Sequence, residues 1–178
     1  MLPEAVQNIL AAHGGVFCRR VFSERRTASK GWPVNFTRIA LAAIGGFVAY
    51  FVLGGLAFGL FPSLRNEFLK YPTIYRSQDA MKSVMPGGMA AMFVGIAMLA
   101  VLYAMLCRGG SGIAEGARSG AIFGVLIGVF AICAFVVHNY VNLQIGLKLT
   151  VQQAVAYFVE WVVTCLVIGL IYRPAAPH

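Results

Sequence analysis

Charge-free apolar runs alternate with short polar stretches four times along this chain. Ile39 to Phe61 is 23 residues without a charged side chain, long enough to cross a bilayer at a rise of about 1.5 Å per residue. Ser83 to Cys107 is charge-free again, with Pro86-Gly87-Gly88 near its start, where the first turn of a helix tolerates proline. Ser119 to His138 makes a third run, closed by the polar group His138, Asn139, Asn142 and Gln144. Val151 to Tyr172 makes a fourth, broken only by Glu160. The pattern predicts an all-α integral membrane protein with four transmembrane helices over about 39–61, 86–107, 119–138 and 151–172, and an outer loop over 62–85. Helices are expected because they satisfy their own backbone groups in lipid, and the alternation of a barrel strand is absent.

The polar flanks set the orientation. Nine Lys and Arg residues fall in the amino-terminal segment 1–38, the loop after the second span and the tail 173–178, against five on the opposite side. Both termini are therefore expected in the cytoplasm. Leu2, Val6, Ile9 and Leu10 recur at helical spacing and predict a short amphipathic amino-terminal helix. The basic neck with Arg19, Arg20, Arg25 and Arg26 follows, suited to anionic lipid. In the outer loop, Ser63 and Ser77 are candidate helix N-caps and Tyr71-Pro72 a break between two short helices. Tyr71, Tyr75 and Arg76 there suit contact with headgroups or a partner protein. Tyr103 and Tyr172 on one side, with Tyr140 and Tyr157 on the other, fit interfacial aromatic belts.

Composition narrows the class further. Of 178 residues, 60% are hydrophobic and only 11% charged, with a mean hydropathy of +0.79; an ordinary soluble domain carries about 25% charged residues. A soluble globular protein is excluded. The net charge of +8 flanks apolar spans, so its counter-charge is the lipid bilayer rather than nucleic acid. Four scattered cysteines form no Cys-x-x-Cys pair. Compactness and the distribution of basic residues point to a bacterial inner membrane.

Three patterns carry candidate chemistry. Gly112, Gly116, Gly120, Gly124 and Gly128 recur every four residues into and along the third span, a glycine zipper that lets another backbone approach closely. The approaching backbone can belong to this chain, a second copy or another subunit. Glu160 is the one formal charge inside a span, and Gln153, Tyr157 and Thr164 share its helix face; His138 and Asn139, across a short connection, are the nearest polar groups to pair with it. This cluster reads either as a structural hydrogen-bonded group or as a proton, ion or ligand site. Met81, Met85, Met89 and Met92 form a helical stripe of soft thioethers that suits Cu(I) or, equally, ordinary apolar packing. Such a stripe before a glycine-zipper helix resembles the arrangement in eukaryotic-type copper uptake channels, but the resemblance covers two short motifs, and those channels have three spans. His138 could ligate a haem or chlorophyll, though no second intramembrane histidine accompanies it.

No phosphate-binding loop, serine-hydrolase elbow or zinc-protease motif occurs, so no enzyme is expected. The patterns together predict an accessory or structural subunit of a larger membrane complex, docking through the glycine-zipper helix. The alternative is a small homo-oligomeric transporter or channel using Glu160 and the methionine stripe.

Overall fold

The computed structural model describes residues 35–106 and 112–172, and every regular element among them is helical. The expected amphipathic helix and basic neck with Arg19, Arg20, Arg25 and Arg26, together with the tail 173–178, lie outside the described residues. Helix α1 (Phe36–Leu60) leads through a one-residue joint into α2 (Pro62–Leu69), and a turn connects this to α3 (Gln78–Leu106). Helix α4 (Ile113–Ala131) continues through a π-helical segment, Ile132–Val137, into α5 (His138–Asn142), and α6 (Leu147–Ile171) closes the chain's described part. Helices α1, α3, α4–α5 and α6 are each long and apolar enough to cross a membrane. The protein is a polytopic integral membrane protein.

Local chemistry explains the helix limits. The Asn35 side chain accepts the Arg38 N–H at 3.1 Å, which starts α1 three residues before its charge-free run. Pro62 occupies the first turn of α2, where its missing N–H costs no bond. Ser77 accepts the Ala80 N–H at 3.3 Å and Asp79 sits in the first turn of α3, paired with Lys82 at 2.8 Å. Those contacts begin α3 eight residues before Pro86, so the proline lies inside the helix rather than in its first turn, and the second loop helix is the start of α3 itself. Ser63 caps nothing; it lies within α2, whose cap position is Phe61.

Helix α6 is central, packing against α4 on one side and α1 on the other, while α3 lies against α1. In a bilayer, lipid tails are as apolar as leucine, so this packing rests on close fit rather than on escape from water. The main core joins Ile39, Ala42, Ile96, Ala100, Phe123 and Ile168. Tyr103 and Tyr172 belong to it as well. Their rings meet edge to face at 6.2 Å, Tyr103 is only 2% exposed, and its hydroxyl donates to the Gly116 carbonyl at 3.4 Å. They are core residues, not members of an aromatic belt.

The glycine stripe packs within the chain. A Cβ on Gly120 would stand 2.6 Å from the Cys165 carbonyl oxygen, and one on Gly124 2.8 Å from the Val162 Cα, both on α6. A Cβ on Gly169 of α6 would collide with the Gly116 carbonyl oxygen, so the close approach is reciprocal. Gly128 faces Phe158, whereas Gly112 is the exposed N-cap of α4 with open space around it. Further along, buried Ala131 and Val136 are five residues apart. An α-helix would turn them about 140° from each other at 3.6 residues per turn. The π-helical segment between them keeps both inward.

A second, smaller core forms at the α2 end from Leu64, Ile145 and Leu149, with Phe68, Tyr71 and Tyr75 against it. Glu67 anchors this end. It is 5% exposed and accepts from both Lys148 and Lys70 at 2.7 Å. These hydrogen bonds, from Lys148 first and then Lys70, hold the Glu67 carboxyl below its ordinary value. Glu67 in turn raises Lys70. Beside it, the Gly146 N–H at the start of α6 donates to the Tyr71 hydroxyl at 2.8 Å, satisfying one of that helix end's open donors.

Candidate functional site

Glu160 lies 13 residues after Leu147, about 20 Å along α6 and close to its midpoint. It is 8% exposed. On the face it shares with Gln153 and Tyr157 it meets α1, whose Tyr50 lines the same space. The Tyr50 ring is held by Trp161, with centroids 5.2 Å apart. Gly54, one turn along α1 from Tyr50, keeps the space in front of the carboxyl open: a Cβ there would stand 3.5 Å from Glu160 Oε1.

Tyr50, Gly54, Tyr157 and Glu160 line a cavity of about 450 Å³ between α1 and α6. Leu64 and Phe68 of α2 and Met85 of α3 complete its lining from neighbouring helices. Gln153 also lines it, and its amide donates to the Tyr75 hydroxyl at 3.3 Å, which ties the cavity to the turn after α2. Glu160 has no Lys or Arg within ion-pair distance among the described residues, and the lining contains none. A buried carboxyl without a cation is costly in lipid, by a few kcal/mol on insertion scales. Two further buried polar atoms, Thr164 Oγ1 and Gln152 Oε1, have no hydrogen-bond partner among the described residues.

The residues singled out in the sequence fall into separate places. Glu160, Gln153 and Tyr157 come together in the cavity; Thr164 lies on the same helix, fully buried, but does not line it. His138 and Asn139 are exposed at α5 and do not line the cavity, so the group facing Glu160 is Tyr50 of α1 instead. Along α3, Met81, Met85 and Met89 are exposed, and Met92 packs against the main core. Of these four, Met85 alone lines the cavity. Among the described residues no group of three or more His, Cys, Asp or Glu side chains is placed to hold a metal. Tyr71 and Tyr75 are half-buried and bonded to α6, while Arg76 is exposed. Tyr50, Gly54 and Glu67 carry the site and its cover but escape a reading by charge and spacing. A tyrosine in an apolar helix looks like packing, and an acid in a loop looks solvated.

No known protein family, curated protein or solved structure matches this chain. Function therefore rests on the cavity and its chemistry.

Proposed function

We propose that the protein is a small membrane transporter whose substrate or coupling cation binds at Glu160, with both termini in the cytoplasm. The observation that carries this reading is a buried, mid-helix carboxyl that no cation neutralises among the described residues, placed at an open cavity rather than in sealed packing. A carboxyl in that position meets its desolvation cost by exchanging a proton or a cation, the elementary step of coupled transport. Docking to a larger complex through the glycine stripe is less favoured, because α6 of the same chain occupies that face. An assembly role would have to use other surfaces, such as open Gly55 and Gly59 on α1 or Gly87 and Gly95 on α3.

Reconstitution tests the reading. Proteoliposomes holding the full chain are expected to take up at least one of sodium, copper(I) and benzyltrimethylammonium. Glu160→Gln should cut that flux about a hundredfold, the loss expected when a buried charge partner is removed, with the oligomeric state unchanged. Equal uptake of all three by wild type, Glu160→Gln and empty vesicles would overturn transport through Glu160.

A further inference from the structure

The walls of the cavity say what kind of cation it suits. Five rings line it, those of Tyr50, Phe51, Phe58, Phe68 and Tyr157, around the single carboxyl of Glu160. Aromatic faces carry negative quadrupole potential and attract a cation most strongly where water is excluded. A carboxylate in the same lining adds a full opposite charge.

Each simpler occupant lacks something. A hard inorganic cation such as sodium or calcium needs a shell of about six oxygen ligands to replace its water. The polar groups lining the cavity are only the Glu160 carboxyl, the Tyr50 and Tyr157 hydroxyls and the Gln153 amide, and the Gln153 nitrogen already donates to Tyr75. Copper(I) needs several soft sulfur ligands. Met85 is the one thioether in the lining, and no cysteine accompanies it. An organic ammonium carries its own hydrocarbon shell, needs no oxygen cage and fills apolar walls. The volume of about 450 Å³ lies within the range of small-molecule sites. Gly54 borders this space: a Cβ there would make an ordinary contact with Glu160 Oε1 at 3.5 Å, and a bulkier side chain would extend beside the carboxyl. The exposed rim residues Gly55, Phe58 and Met85 leave the cavity open at the bundle's surface, where an amphiphilic cation would enter from the bilayer.

We infer that the cavity between α1 and α6 is a binding site for an apolar organic ammonium, with Glu160 as its counter-charge and the rings of Tyr50 and Tyr157 against its positive head. This assignment deepens the transport reading and rests on it for the role of Glu160.

The test is equilibrium binding of radiolabelled benzyltrimethylammonium to the full chain in lipid nanodiscs, alongside sodium and copper(I). Saturable binding of the ammonium is expected, lost about a hundredfold in Glu160→Gln. Tyr157→Leu, which removes the ring, should weaken it about tenfold, and Tyr157→Phe, which keeps the ring, should restore it to within about twofold. The Phe variant separates loss of the ring from loss of the fold. Ammonium binding that ignores the Tyr157 ring, or Glu160-dependent binding of sodium or copper(I) without the ammonium, would overturn the ligand class while leaving Glu160 as a cation site. Absence of any Glu160-dependent binding would overturn both.

Discussion

Gly120→Ala and Gly169→Ala should each lower the unfolding stability of the protein by about 1–3 kcal/mol, the cost of overpacking a well-fitted interior. Gly55→Ala and Gly95→Ala should leave it unchanged or slightly raised. The difference lies in what a single methyl group meets. At Gly120 it would stand 2.6 Å from a backbone carbonyl oxygen and 3.0 Å from the Leu166 Cα, and backbone cannot rotate aside as a side chain can. At Gly169 it would strike the Gly116 carbonyl, with the Tyr103 hydroxyl 2.9 Å away. At Gly55 and Gly95 nothing lies within 4 Å, and the methyl group only restricts the unfolded backbone. Thermal or detergent unfolding followed by circular dichroism measures all four. Equal losses at the packed and open positions would mean that α4 and α6 do not meet along their glycines.

Removing the Glu160 carboxyl should have the opposite sign. Glu160→Leu is expected to leave stability unchanged or to raise it by about 2 kcal/mol, because replacing a buried ionisable group with an apolar one of similar size removes its desolvation cost. One loss opposes this gain: the Tyr50 hydroxyl, which shares the cavity with Glu160, would lose its polar neighbour. Tyr50→Phe combined with Glu160→Leu should therefore be more stable than Glu160→Leu alone. A site that stores instability for function behaves in this way, whereas a structural hydrogen-bonded cluster collapses when its centre is removed. A fall of more than about 2 kcal/mol in Glu160→Leu would assign the carboxyl a structural role.

Much of the architecture was legible because lipid imposes a coarse rule: a long charge-free run must satisfy its own backbone, and four such runs stand out. Glu160 was legible for the same reason, as the lone charge against that background. The rest depended on three-dimensional neighbours. A glycine every four residues announces a close approach but not whose backbone approaches, and α6 proved to be the partner. His138 and Asn139 are near Glu160 along the chain, yet they sit exposed at the helix end beyond the π-helical segment, while Tyr50, more than a hundred residues away, lines the same cavity. Tyr103 and Tyr172 have the positions of belt residues, but the buried Gly116 carbonyl and their mutual ring contact draw them inward. Glu67 gave no signal at all. Its ion-pair partner Lys148 lies 81 residues away.

Transport through Glu160 requires a reachable, exchangeable carboxyl inside the membrane, and chemical reactivity reports on that property. A hydrophobic carbodiimide, which partitions into the bilayer and couples to carboxyl groups there, should modify the folded protein in nanodiscs at Glu160, as located by mass spectrometry of its peptides. Benzyltrimethylammonium should slow that modification. A Glu160 that stays unmodified until the protein is unfolded would contradict transport at this site, because the carboxyl would then be sealed within the packing between α1 and α6.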